Sequence, residues 1–191
     1  VHVNMALIIK FMKNFYFNPS EFPEVGETNG PHHDAFLFAQ GPTRGLGKIQ
    51  FHDYRKVYDR FDLPNIRIFK KQIATFRKLL VAARPNKEQI KDIDFLLILG
   101  EIVTLTVYGQ LILENAPAHK ISDDVLDQIF DFMVRDFSKF SLQLYSKTSS
   151  TALQRPLCLM MIRKPVVDKA RFERVWTEHV YSLKDVYHMN E

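Results

Sequence analysis

Glu88-Gln-Ile-Lys-Asp-Ile-Asp-Phe-Leu-Leu-Ile-Leu-Gly-Glu-Ile-Val-Thr-Leu-Thr-Val-Tyr-Gly-Gln-Leu-Ile-Leu-Glu114 is the stretch whose reading decides the fold. It reads as one helix of about 27 residues, roughly 40 Å long at ~1.5 Å per residue. From Phe95 to Leu113 it is apolar nearly all round, interrupted mainly by Gly100, Glu101, Thr104, Tyr108, Gly109 and Gln110. Such a helix belongs at the centre of a bundle or in a membrane. Asp92 and Asp94 open it, Glu101 sits in mid-span and Glu114 closes it. Carboxylates in lipid are costly, so the pattern favours protein packing over a membrane span. Asp94, Glu101, Thr104 and Tyr108 fall along one stripe, and the expectation is a buried polar seam.

Helical spacing extends outward on both sides. Val1 to about Phe17 repeats apolar residues at helical intervals, and Asn18-Pro19 ends it. A short element is expected from about Asp53 to Phe61. Asn65 to about Ala83 follows, with Ile66, Phe69, Ile73, Phe76, Leu79 and Leu80 on one face and Arg67, Lys70, Lys71, Arg77 and Lys78 opposite. Beyond Pro117, Ser122 is a good N-cap for a helix to about Tyr145, with Asp123 and Asp124 in its first turn. Leu153 to Ile162 contains Pro156, which either kinks the element or occupies its first turn. Asp168 caps a last helix in which Phe172, Val175, Trp176, His179, Val180, Leu183 and Tyr187 recur at 3.6-residue spacing. With no useful strand alternation after residue 51, the fold class is all-α. The expectation is a bundle of five to seven helices around a long central helix (about 88–114).

Residues 18–50 form the exception, a long irregular connection rich in glycine and proline. Loops of that length inside a compact chain are functional or disordered as a rule. The run Asp34-Ala-Phe-Leu-Phe-Ala39 is too apolar for a free coil, so this loop is expected to pack against something. The division expected is therefore residues 1–51, a helix plus loop packing on the bundle or on a further domain, and residues 52–191, the C-terminal helical bundle. The chain opens on Val1, already inside an apolar helical pattern, which leads us to expect preceding sequence.

A chain of 191 residues with 46% apolar and 25% charged residues has the composition of an ordinary globular protein. Sixteen Phe argue for an aromatic-rich core, and a single cysteine, Cys158, excludes an internal disulfide and fits a reducing compartment. The net charge of +4 hides an asymmetry: 13 basic and 4 acidic residues from Arg44 to Lys91, then 2 basic and 9 acidic from Asp92 to Asp136. Neighbouring helices whose outer faces attract, or two solvated faces, explain the blocks better than a phosphorylated ligand or nucleic acid does. No aromatic-plus-basic stacking pattern accompanies the charge, so no nucleic-acid partner is expected.

The motifs that could carry chemistry are weak. Gln40-Gly-Pro-Thr-Arg-Gly-Leu-Gly-Lys48 invites a phosphate-binding reading, with Arg44, Gly45, Gly47 and Lys48 as contacts. It fails the P-loop spacing, since five residues separate Gly41 from Gly47, and Ile49 follows Lys48 where Ser or Thr should bind magnesium. A tight structural turn is the stronger reading. His32, His33, Asp34, His52 and Asp53 lack any diagnostic metal-ligand spacing, and no metal is expected. Glu101 on an inner helix face could act as a general base, but pairing with Arg or Lys from an adjacent helix is the stronger reading. Cys158, amid Leu157, Leu159 and Met160, reads as core filling.

Several runs resemble the C-terminal region of large bacterial acyl-CoA dehydrogenases, flavoenzymes that oxidise acyl-CoA thioesters to enoyl-CoA. They are Gln40-Gly-Pro-Thr-Arg-Gly-Leu-Gly-Lys-Ile-Gln-Phe-His-Asp53, Asp94-Phe-Leu-Leu-Ile-Leu-Gly-Glu101 and Val107-Tyr-Gly-Gln-Leu-Ile-Leu-Glu114. Asp127-Gln-Ile-Phe-Asp131, Val134-Arg-Asp-Phe137 and Arg163-Lys-Pro-Val-Val-Asp168 add to the likeness. The resemblance implies a helical C-terminal domain that packs against preceding domains of the same polypeptide or a partner subunit. It implies FAD and acyl-CoA bound mainly by those preceding domains, with no cofactor held and no activity shown by this segment alone. Nothing here matches the flavin-contacting segments, and the family's catalytic Glu maps onto neither Glu101 nor any other position. The alternative is a free-standing helical interaction or ligand-binding module without enzymatic activity.

Overall fold

A computed structural model describes residues 2–21 and 51–186, with side chains from residue 9 onward. Among these residues there are seven α-helices and no strand. They are α1 (His2–Phe17), α2 (Tyr54–Tyr58), α3 (Pro64–Ala82), α4 (Ile93–Asn115), α5 (Asp123–Ser146), α6 (Gln154–Met161) and α7 (Lys169–Val175). A π-turn, Trp176–Val180, and a 3-10 turn, Tyr181–Leu183, continue the chain from α7. The all-α bundle expected from periodicity is what the chain forms.

Caps set most of the boundaries. Asp53 accepts the Arg55 N–H, Ser122 the Val125 N–H and Asp168 the Arg171 N–H, each side chain satisfying a donor the first turn leaves open. Pro64 opens α3 at a position where a missing N–H costs nothing. Pro156 lies in the first turn of α6 rather than at a kink.

The α4 helix starts five residues later than its pattern predicts. Asn86 Oδ1 accepts the Glu88 and Gln89 N–H groups, which holds residues 87–91 in a separate turn. Asp92 then takes the N–H groups of Asp94 and Phe95 and begins the helix. The turn exists because Gln89 is drawn inward. Its amide pairs with that of Gln154 in both directions, at 2.8 and 3.0 Å, and both residues are fully buried.

The α5 helix packs against α3, α4, α6 and α7, while α4 packs against α1, α2 and α5. Phe69 lies edge-on to Phe130 and Phe137, at centroid separations of 5.3 and 5.5 Å, and Phe76 meets Phe137 at 6.3 Å. All four rings are fully enclosed. Aromatic pairs in this geometry add ~0.5–1.5 kcal/mol each beyond their burial. On α1, Phe15 and Tyr16 are buried, and the Tyr16 hydroxyl donates to Thr106 Oγ1 on α4 at 2.9 Å. The first helix thus shares the core of the bundle.

The α4 helix is long and apolar enough to cross a membrane, with a mean hydropathy of 1.9 over its most apolar window, of which 39% is buried. Phe95, Leu99, Ile102, Val103, Thr106, Gly109 and Leu113 face the core. Ile93, Tyr108 and Leu111 face outward.

Candidate functional site

The densest polar constellation lies where α3, α5 and α7 meet. Asp127 is buried on α5, and its Oδ1 accepts the Asn65 N–H at 2.7 Å. A carboxylate from another helix therefore caps the N-terminus of α3, whose own N-cap residue, Leu63, offers no side-chain acceptor. The second oxygen of Asp127 pairs with Arg171 of α7, and Asp131 lies 3.7 Å from the same guanidinium. Arg135 closes on Asp131 from outside at 2.6 Å. The Asn65 side chain clasps the Val166 backbone, accepting its N–H at 2.7 Å and donating to its carbonyl at 3.2 Å. Arg171 donates to that carbonyl as well. Burial raises the pKa of the Asp127 carboxyl, outweighing the Asn65 N–H and the Arg171 charge, which act to lower it.

Two further networks join the helices. The Tyr58 hydroxyl donates to the Thr106 carbonyl at 2.7 Å, beside the Tyr16–Thr106 bond. Burial raises both phenols well above their ordinary range, so neither serves as a base near neutral pH. At the other end of the bundle, the Gln89–Gln154 amide pair also donates to the carbonyls of Ser149 and Ala83. Every partner in these networks is backbone or another buried group, and satisfied groups of this kind hold helices in register.

The residues expected to form a buried polar seam do not. Asp94 and Tyr108 are exposed, the latter at 61%, while Glu101 and Thr104 are half-buried. Asp94 stands 3.6 Å from Lys147 near the surface. The helix is apolar on both sides, so hydrophobicity leaves its rotation undetermined, and the stripe runs from the exposed Asp94 and Tyr108 to the half-buried Glu101 and Thr104. Thr106 and Gly109 mark the inner side instead.

The phosphate-contact candidates Arg44, Gly45, Gly47 and Lys48 lie outside the described residues, as do His32, His33, Asp34 and the apolar run at Phe36 to Phe38. Asp53 caps α2 and forms an ion pair with Arg55. Among the described residues no group of three or more His, Cys, Asp or Glu could hold a metal ion. Cys158 is fully buried, and its thiol is pushed up to about 11 by burial.

Among the described residues, the two charge blocks meet through Arg67, whose charge acts on Asp127, while the ion pairs of each block run largely to other partners. Arg55, Lys56, Arg67 and Lys70 meet Asp53, Glu21, Asp62 and Asp59 respectively. The acidic block is met instead by Arg135, Lys147, Arg171 and Arg174.

The last helix departs furthest from its pattern. Phe172, Trp176, Val180 and Leu183 are 44–50% exposed, and the buried residue is Arg171. Phe172 and Trp176 stack at 6.3 Å and, with Glu173 and Thr177, line a shallow depression of about 260 Å³. Local spacing alone does not show that polar pairing chooses the inward face of α7. The available signal was Asp127 and Asp131 at i, i+4 on an inner helix face, which calls for a cation from elsewhere in the chain. Searches of protein-family models, curated proteins and solved structures return no match for this chain.

Proposed function

We propose that this chain is the C-terminal helical part of an FAD-dependent acyl-CoA dehydrogenase, supporting assembly while flavin and thioester are bound mainly by preceding domains. The observation that carries the reading is the set of runs resembling that family. Asp127-Gln-Ile-Phe-Asp131 and Arg163-Lys-Pro-Val-Val-Asp168 supply the carboxylates and the clasped Val166 backbone at the α3–α5–α7 junction. Val107-Tyr-Gly-Gln-Leu-Ile-Leu-Glu114 supplies Gly109, where Tyr58, Phe130 and Met133 come close to the α4 backbone. These three runs supply joints of the fold, as expected of a domain whose task is support. Ile93, Tyr108 and Leu111 on α4 give it apolar surface suited to packing against preceding domains or a second subunit. In this reading the enzyme is cytoplasmic and homo-oligomeric.

The test is a comparison of two polypeptides. The 191-residue chain alone should purify colourless and leave acyl-CoA unoxidised. The polypeptide extended upstream should purify yellow and reduce an artificial electron acceptor when given acyl-CoA. A yellow, active isolated chain would overturn the division of labour. An extended polypeptide with neither flavin nor acyl-CoA oxidation would overturn the family reading and favour a free-standing interaction module.

A further inference from the structure

We propose that residues 164–186 form an arm that opens as one unit from an otherwise intact bundle, latched by Arg171 on Asp127 and by Val166 on Asn65. The argument begins with what the arm buries. From Ile162 to Val186 the one buried residue is Arg171, and only Pro165 and Val175 are half-buried. Apolar burial, the dominant favourable contribution to most helix docking, is nearly missing here. Phe172, Trp176, Val180 and Leu183 each leave about half of their surface exposed, with Val167 80% exposed.

What holds the arm is polar and sits at discrete points. Val166 exchanges two hydrogen bonds with the Asn65 side chain. Arg171 pairs with Asp127 and lies near Asp131. Arg174 forms a two-pronged pair with Asp124 at 2.6 and 2.9 Å, at the surface where such pairs contribute little. Behind these points the chain is fastened at Arg163, whose N–H donates to Ser138 Oγ at 2.9 Å. Residues 164–168 lie between the fastening and α7 without helical structure, which places the hinge there.

The consequences of opening are asymmetric. Arg171, Asp127 and Asp131 regain water when the arm lifts, so the desolvation cost of the buried charges is relieved. Asp127 keeps the Asn65 N–H and Asp131 keeps Arg135, so the α3 cap and the α5 surface survive. Core layers built on Phe69, Phe76, Phe130 and Phe137 do not involve the arm. Opening is thus a sub-global event, of lower free energy than unfolding of the bundle.

Native-state hydrogen exchange on the whole chain tests this. The amides of Val166, Arg171 and Phe172 should exchange together, at least ~10-fold faster than those of Ile102, Val103 and Leu113. Arg171→Met should speed the arm amides by roughly 100-fold while the α4 amides change little, because opening relieves the stranded carboxylates. Val166→Pro removes the N–H donated to Asn65 without touching a charge. It should speed exchange at Arg171 and Phe172 although both keep their own bonds to Asp168. Arm amides that exchange only with the bundle would overturn the proposal. So would a Val166→Pro chain with unchanged exchange at Arg171 and Phe172.

Discussion

The Tyr58 hydroxyl occupies space that a side chain on Gly109 would need. A Cβ at Gly109 would collide with that oxygen and approach Met133 Cε to 3.1 Å and Phe130 Cζ to 3.3 Å. The hydroxyl is fixed there because it donates to the Thr106 carbonyl, and Tyr58 is almost fully enclosed. Glycine in mid-helix costs about 1 kcal/mol relative to alanine, so its presence marks the closeness of α2 and α5 to α4.

Gly109→Ala should therefore destabilise the protein by ~1–3 kcal/mol, overpacking outweighing the gain in helix propensity. The denaturant midpoint measures it. Tyr58→Phe removes the colliding oxygen, so the double variant should lose less than the sum of the two single losses. Strict additivity would show that the collision is not the cause.

Gln89 and Gln154 form a second dependence that can be measured. Each is fully buried, and each satisfies the other's amide. Replacing Gln154 with Ala should leave the Gln89 amide and the Ala83 carbonyl short of partners and cost ~2–3 kcal/mol. The signature is a lower urea midpoint with an unchanged m-value. A loss below about 0.5 kcal/mol would show that water replaces the missing amide.

Much of this fold could be read directly from residue order, and the failures share one cause. Asp53, Ser122 and Asp168 announce helix starts through chemistry confined to one turn. The six apolar residues from Ile66 to Leu80 announce the inner face of α3, and all are buried. Gln89 leaves the helical pattern that its neighbours suggest because its partner, Gln154, lies 65 positions away. The 3.6-residue spacing of Phe172 and Trp176 does not say which face of α7 turns inward, because Asp127, which captures Arg171, is remote in sequence. Side-chain polar pairing between distant residues sets the register of α4 and the orientation of α7, and local periodicity carries no record of it. The candidate site was less legible still. Glu101 and Tyr108 looked inward only on the assumption that polar residues of an apolar helix must face protein.

The thiol of Cys158 should be inert in the folded chain. Burial pushes it up to about 11, and the residue has no exposed surface. A disulfide reagent at about pH 8, below the ordinary thiol pKa, should label it only as fast as the protein opens. Adding denaturant should produce full labelling of one thiol per chain. Immediate labelling in buffer alone would place α6 among the mobile parts of the bundle.

Acid should weaken the protein through three carboxylates that the fold holds ionised. Asp53 is held low chiefly by its hydrogen bond to Arg55, Asp92 by the Phe95 N–H and Asp124 by Arg174. A folded pKa below the unfolded one means that the unfolded chain binds protons more tightly in that window. These groups therefore contribute fully above about pH 4, and their contribution fades as pH falls through their lowered values. Asp127 acts with the opposite sign. Its raised pKa lets the folded state hold a proton more tightly, so its own contribution declines as pH rises through that raised range. Thermal midpoints taken from about pH 6 down to about pH 2 should fall most steeply below pH 4. Replacing Asp92 with Asn keeps a capping oxygen but removes the charge, which should flatten that fall while changing stability near neutrality little. An Asp92→Asn chain with the same acid profile as the parent would show that the helix start at Ile93 does not depend on an ionised cap.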